Sequence, residues 1–475
     1  MNKSRSSKSR SVLLAVLSCL GLCGHAVAVD RNVPDDYPTI QAAVDAALPG
    51  DTVRIAAGDY NEQVVLAYKT DITLAGQPGA AGTVIHATPG MAQSLRPYSG
   101  STTYPVVGAY RATGLVLSGL TIDGNHLAAL YNPSGSIGIY LLGSSGQVTN
   151  CTVIGSRNST LDTEIVGWGL LVLNLLQSGT PAVNVGVFNS TFADNQVSLL
   201  LRGDPANNPQ LLRATVTIKG NTIMGFGPAP HANLGIWLVN GVTGEIIGNT
   251  ISRHYGATNW FASGIAAYDS SAITRSRFVP LFPVKYEGNT FTNNDQHLLT
   301  VGGNNCQVVN NSFLGGAPAP SSLGAVALSG TNILVANNNF SDLPTGIVLL
   351  GDKTLESSAG TWPAMIPVSG ASLSGNWFCN VPERLQINPI ATGVREEGTE
   401  TCPFRPRFQS VTRSGAGGVW GLLRGWSGDT LVLEASTNLQ QWVPVQTNTM
   451  ALPLLEYQDA TAGGAPHRFY RARLR

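Results

Sequence analysis

Gly288-Asn289-Thr290-Phe291 returns 22 residues later as Asn310-Asn311-Ser312-Phe313, and this interval is the shortest unit of a repeat that decides the fold. The same phrase is a Gly or Asn, a usually polar residue, Thr, Ser or similar, then Ile, Val or Phe. It occurs nine times between Gly119 and Phe378. Upstream copies are Gly119-Leu120-Thr121-Ile122, Asn150-Cys151-Thr152-Val153, Asn189-Ser190-Thr191-Phe192, Gly220-Asn221-Thr222-Ile223 and Gly248-Asn249-Thr250-Ile251. Downstream are Asn337-Asn338-Asn339-Phe340 and Gly375-Asn376-Trp377-Phe378. Repeats of this length mark a solenoid, in which each unit buries its apolar face only by stacking on its neighbours. The expectation is parallel strands about 4.8 Å apart, apolar columns inward and Asn or Thr ladders at the bends.

A partner motif lies between successive copies: a Gly or its equivalent followed by apolar residues, as in Gly138-Ile139, Gly169-Leu170, Gly235-Ile236, Gly264-Ile265 and Gly346-Ile347. In the bare coil it follows the phrase after 7 residues, from Phe291 to Leu298, and the next phrase ends 15 residues further on. Elsewhere the first arm grows to 17 residues after Ile122 and Val153, 13 after Ile223 and 14 after Ile251. The second arm grows to 22, 25 and 26 residues after Leu170, Ser198 and Ile265. Insertions leaving one corner of the coil are expected to line one side of the cylinder as a groove. Loops on a rigid scaffold tend to carry function, although surface insertions are also tolerated without one.

Composition narrows the class. The 475 residues are 43% hydrophobic and only 12% charged, with 54 Gly, which suits a turn-rich all-β chain. Formal net charge is zero, so no basic footprint points to nucleic acid or an anionic membrane. Residues 1–28 read as a signal peptide: Lys3, Arg5, Lys8 and Arg10, then an apolar stretch from Val12 to Gly24, then Ala26-Val27-Ala28 as a small-x-small site. That reading implies export, to the periplasm, the cell surface or the medium. No other apolar run is long enough for a membrane helix, so no transmembrane segment is expected. Cys379 and Cys402 flank a loop at the end of the repeats and are expected to pair as a disulfide in an oxidising compartment. Cys151 and Cys306 read as small buried side chains.

Thr39 to Leu48 reads as the one convincing helix, with Thr39 as N-cap, Ile40, Ala43, Val44, Ala47 and Leu48 on one face, and Pro49-Gly50 as its stop. It is expected to cover the open end of the strand stack. The stretch Asp36-Tyr37-Pro38-Thr39-Ile40-Gln41-Ala42-Ala43-Val44, then Pro49-Gly50-Asp51-Thr52-Val53-Arg54-Ile55, Gly58-Asp59-Tyr60 and Ile72-Thr73-Leu74-Ala75-Gly76, resembles the pectin-lyase-like superfamily. The likeness extends over roughly residues 30 to 400. It implies a right-handed parallel β-helix over residues 29–405 and contact with extracellular, uronic-acid-containing polysaccharide as a fold-level expectation. The Gly-x-x-Asp-Phe-x-Phe-Gly segment of pectin methylesterases does not occur, nor do the Asn-Thr-Asp, Asp-Asp and Gly-His-Gly segments of polygalacturonases or the Asp-Pro-His-Asp segment of alginate epimerases.

From about Phe408 the phrase is lost and short strands take over, giving a C-terminal β module, sandwich-like, over residues 406–475. Its string Leu433-Glu434-Ala435-Ser436-Thr437-Asn438-Leu439, Trp442 and Arg468-Phe469-Tyr470-Arg471-Ala472 resembles a module common on secreted bacterial proteins. That likeness leaves cell-surface association open as one of its roles.

Cleaving a uronic-acid polymer by elimination needs a base near the C5 proton and a cation, Ca²⁺ or Arg, on the substrate carboxylate. Hydrolysis needs two carboxyl groups about 5–10 Å apart. Four residues past the Ile/Val/Phe column stand His126, Arg157, Gln196, Gly227, Tyr255 and Asp295, a row that suits glycan binding, although a solvent-facing turn is polar in any case. The densest stretch is 253–297. There Arg253, His254, Asp269, Lys285 and Asp295 are the candidate catalytic residues, with His254 as the base. Trp260, Tyr255, His126 and Arg157 are the candidate substrate contacts, Trp260 as a sugar platform or as a loop anchor. No cofactor is called for, and Ca²⁺ is the one candidate metal. Two functions stand side by side: a polysaccharide lyase-like or related carbohydrate-active enzyme, and a non-catalytic glycan-binding or cell-surface structural β-helix.

Overall fold

The computed structural model describes residues 28–475 apart from 78–81, 93–102, 132–134, 159–166, 175–181, 204–213, 230–232, 240, 257–261, 269–282, 317–323, 352–355, 358–359, 362–366, 403–405, 414–417, 426–428, 451–453 and 465–466. Strands as far as Thr401, apart from a short antiparallel pair at Glu356–Ser357 and Gly360–Thr361, assemble into three long parallel sheets: sheet 1 of 13 strands, sheet 2 of 12 and sheet 3 of 11. The chain visits them in that order, and each strand pairs with its equivalent in the coils before and after, so the coil is a right-handed parallel β-helix. Thr290–Thr292 of sheet 2, for example, pairs with Thr250–Ser252 on one side and Ser312–Leu314 on the other, placing Phe291 level with Ile251 and Phe313.

Each position of the repeated phrase has its own task at the bend from sheet 1 to sheet 2. The first residue is left-handed, with φ of 63° at Gly248, 61° at Gly288 and 58° at Asn310, which is why only Gly and Asn occupy it. The second points inward as a buried ladder of Asn221, Asn249, Asn289, Asn311, Asn338 and Asn376. The Asn249 backbone and side-chain N–H groups both donate to Asn289 Oδ1, each at 2.9 Å, and Asn249 Nδ2 also donates to the Ile218 carbonyl at 2.9 Å. Backbone groups that the bend would otherwise strand are thereby satisfied, and a stranded buried group costs about 1–3 kcal/mol. The fourth residue fills the core, where the rings of Phe291, Phe313, Phe340 and Phe378 stack at 4.9, 4.9 and 4.7 Å, the spacing of the coils. Cys151, standing in the ladder column, and Cys306 are both buried and unpaired.

The glycine of the partner motif makes room rather than a turn. A side-chain carbon at Gly235 would come within 3.1 Å of His254 Nε2, and one at Gly169 within 3.0 Å of Asn195 Nδ2. The glycine at the entrance to sheet 3 thus accommodates the inward side chain that the next coil sends from its sheet 2 corner.

Both ends of the stack are treated. The helix is Ile40–Ala46, with the Thr39 hydroxyl accepting from the Ala42 N–H at 3.1 Å and Glu62 accepting from the Ile40 and Gln41 N–H groups at 3.0 Å each. Ile40, Ala43 and Val44 are buried against the first coil, while Leu48 lies past the helix end and is 56% exposed, so the apolar face stops short of it. At the other end the last coil carries exposed Glu383, Arg384, Arg395, Glu396 and Glu397 on its open edge, the charges that discourage edge-to-edge pairing. Cys379 and Cys402 form a disulfide there. The last β-helix strand ends at Thr401, and from Arg407 the chain forms two three-stranded antiparallel sheets around Leu423, Leu431, Leu433, Met450 and Tyr457.

Candidate functional site

The corner from sheet 2 to sheet 3 carries the expected polar row, and its geometry follows from one backbone feature. Two residues past the core column the chain is left-handed, with φ of 56° at Asp194, 63° at Arg253 and 52° at Asn293. The residue after each of these turns into the cylinder, and Asn195, His254 and Asn294 are all buried. After His254 and Asn294 the chain returns to the rim, where Tyr255 and Asp295 are half-buried, as is Arg157 after the buried Ser156, whereas Gln196 after Asn195 stays buried.

At the upstream part of this rim three coils converge. Asp194 Oδ1 accepts from Arg157 Nε at 2.6 Å in the preceding coil, and its Oδ2 pairs with His126 Nε2 at 2.6 Å two coils back. Arg157 also lies over the Phe226 ring of a later coil, 5.0 Å from its centre. His126 and Arg157 are therefore together, as the row implied, and they share the Asp194 carboxylate. Nothing in the sequence shows that contact, because the partners lie 68 and 37 residues away.

Further along the rim Tyr255 lies across Gly227, where a side-chain carbon would meet its Cδ1 at 2.8 Å. Asp295 reaches back to the same coil: Oδ2 accepts from the Gly256 N–H at 2.7 Å, and the Asp295 N–H donates to the His254 carbonyl at 2.9 Å. Asp295 Oδ1 is shielded from solvent and has no hydrogen-bond partner among the described residues. Burial raises the Asp295 carboxyl to about 6, partly offset by the Gly256 N–H. Arg253, one coil away, is exposed.

Other candidates are dispersed. His254 is wholly inside the cylinder wall, its Nδ1 donating to Asn294 Oδ1 at 3.0 Å, and burial lowers it to about 4 despite that bond. A ring at zero exposure cannot meet a sugar C5 proton, so the structure removes His254 from the role of base. His297, also fully buried, is lowered to about 3. Lys285 stands on the outer face of sheet 1, paired with Glu287 at 2.6 Å and level with Glu245, on a different wall from Asp295. Trp260 and Asp269 lie outside the described residues. Among the described residues no group of three or more His, Cys, Asp or Glu side chains is arranged to hold a metal ion.

The insertions expected to form a groove precede and follow the strands of sheet 3 in the chain and lie largely outside the described residues, while the outward row of the sheet between them is apolar. Tyr140, Leu171, Leu200, Ala266, Leu299, Ala327 and Val348 are buried there, and Trp237 packs on Tyr268 with ring centres 5.4 Å apart. This is a second apolar layer, separate from the core of the cylinder. The polar surface is the adjoining corner.

A family model described as a right handed beta helix region matches residues 107–340. Solved structures with similar folds include the PL6 family alginate lyase AlyGC, 13% identical over 82% of this chain and 55% of that one, TM-score 0.50. An endo-xylogalacturonan hydrolase from Aspergillus tubingensis is 10% identical over 79% and 92%, TM-score 0.45. The Dettilon tailspike protein is 13% identical over 94% of each chain, TM-score 0.40. The chain spans about half the length of the alginate lyase, and at these identities the likeness establishes the fold alone. No curated protein matches the sequence. Among the described residues no helix is long and apolar enough to cross a membrane.

Proposed function

We propose that this chain, a pectin-lyase-like right-handed β-helix protein, binds an extracellular uronic-acid-containing polysaccharide along the corner between sheets 2 and 3 and transfers a proton there through Asp295. The carrying observation is Asp295 itself: a half-buried carboxyl raised to about 6, with one oxygen held by Gly256 and the other without a partner among the described residues. A group of that kind can give or take a proton near neutral pH. In elimination it would remove the C5 proton of the uronate, the C4–oxygen bond would break with its electron pair leaving on the oxygen, which takes a proton from water or from the newly protonated Asp295, and a C4–C5 double bond would remain. The exposed Arg253 is the cation available to the substrate carboxylate, and Tyr255 offers a ring to a sugar face.

Hydrolysis by a carboxylate pair is not favoured by this corner. Asp194 lies three coils from Asp295, about 14 Å by coil spacing, beyond the 5–10 Å range for such pairs. It is also committed to Arg157 and His126. That commitment supports the second reading, a non-catalytic glycan-binding β-helix, in which the same rim serves as a fixed polar track. The export implied by the N-terminal segment fits either reading, and so does a surface-attached role for the C-terminal module. The separating assay is absorbance at about 235 nm, where the unsaturated product of elimination absorbs. Tested on alginate, polygalacturonate and glucuronate polymers with and without Ca²⁺, a rise that Asp295→Asn abolishes supports the enzyme. Binding with no rise on any substrate supports the track.

A further inference from the structure

We propose a second carbohydrate site, for a neutral glycan segment, in a depression on the outer face of sheet 1. It lies on a different wall from the corner and does not depend on the reading of Asp295. The depression has a volume of about 430 Å³, within the range of about 300–1,000 Å³ usual for small-ligand sites. It crosses four successive coils, through Leu115–Ser118, Gly146–Thr149, Val183–Phe188 and Ala214–Lys219. Three coil spacings make it about 14 Å long, room for two or three sugar rings.

Its floor is shaped by Gly186 and Phe188. The Phe188 ring leans back over Gly186, where any side-chain carbon would collide with the ring edge. The glycine thus lets the ring lie along the sheet instead of standing away from it, a flat apolar platform of the kind that receives the C–H face of a pyranose. Polar groups flank the platform. Gln147 is level with Gly186, and Asn184 sits diagonally from it in the next coil. Both amide side chains are exposed, and neither has a partner among the described residues. Thr215 and Thr217 add hydroxyls from the following coil. Such sites combine an apolar surface with a few placed hydrogen-bonding groups that fix orientation.

The chemistry of the lining selects the ligand. No Asp, Glu, Lys, Arg or His lines the depression. The charged groups in register with it are Lys219, beside Phe188 at the end of the fourth strand, and Glu245, beside Thr217 one coil further along, and they oppose each other in sign. Amides, hydroxyls and an aromatic ring without a net charge fit uncharged sugars and give a polyuronate no counter-charge.

The test is affinity electrophoresis of the full-length protein through gels containing galactomannan, xyloglucan or hydroxyethylcellulose, followed by calorimetry on any polymer that retards it. Retardation by at least one neutral polymer is expected, undiminished by excess free alginate or polygalacturonate. The double variant Gln147→Ala/Asn184→Ala, confined to exposed side chains, should weaken binding about tenfold or more. Gly186→Val, by lifting the ring, should abolish it. No retardation by any neutral polymer would overturn the proposal, as would binding that survives the double variant. Retardation by polyuronates alone would also overturn it while leaving the corner site standing, so the two readings fail separately.

Discussion

Asp295 is held by the coil that precedes it: the Gly256 N–H donates to its Oδ2 at 2.7 Å, while its Oδ1 is buried without a partner among the described residues. A carboxylate in that setting is under-solvated when ionised, and burial raises it to about 6. Its folded value lies above the ordinary 3.8, so the folded chain holds this proton more tightly than the unfolded chain. The stability it confers is full at low pH and lost as pH rises through about 6. Asp295→Asn keeps the acceptor for Gly256 and removes the charge. Its melting temperature is expected to exceed that of the wild type at pH 8 and to match it near pH 4. Thermal unfolding across that range reads the difference.

The two interior histidines act in the opposite direction. Burial lowers His254 to about 4 and His297 to about 3, so both are neutral in the folded chain and bind protons more readily when it unfolds. Their contribution is full above about 6.5 and is lost as pH falls toward those values. Urea unfolding should show the midpoint falling between pH 7 and pH 4.5. His254→Gln, which keeps an amide donor near Asn294, should make that fall shallower.

The asparagine ladder should show its cost when one rung is removed. Asn289→Ala leaves the Asn249 side chain and backbone N–H without their acceptor and strands the Ile246 carbonyl. At roughly 1–3 kcal/mol for each stranded group, a loss of about 3 kcal/mol is expected. Chemical denaturation would measure it, with an exposed Thr250→Ala variant as the reference for a nearly neutral change.

The C-terminal module is fastened to the β-helix by two cations, Arg407, which pairs with Glu400 at 2.5 Å, and the buried Arg424. Arg424 lies 4.0 Å from the centre of the Trp377 ring and donates to Asn337 and Asn339 at 3.3 and 3.4 Å, while Asn339 Nδ2 donates to the Gly425 carbonyl at 3.2 Å. Arg424 is 4% exposed, and burial lowers it to about 10. Arg424→Ala should release the module and leave the β-helix folded. Hydrogen exchange should then rise across Val419–Arg424 and around Trp377, with no change in the ladder residues.

These contacts also show what the sequence could and could not disclose. The phrase announced the coil because each of its positions meets the same demand in every turn: a left-handed residue, an inward amide, an outward hydroxyl and a core apolar group. Its last two copies break the third position with Asn339 and Trp377, and the reason lies more than 45 residues away in Arg424. His254 was misplaced because direction at a corner is set by the left-handed residue before it, Arg253, whose conformation no spacing rule reports. Lys285 was grouped with Asp295 by proximity in the chain, but the coil carries them to different walls. Asp194 drew its partners from two earlier coils, a relation visible only once the coils are stacked.

The most direct test of the account is binding of the full-length protein to a panel of defined uronate oligosaccharides, measured by calorimetry at two salt concentrations. Wild type is expected to bind at least one of them, more weakly at the higher salt, and Arg253→Ala and Tyr255→Ala are each expected to weaken binding about tenfold. Failure to bind any uronate, or binding that neither substitution alters, would contradict a glycan site at this corner.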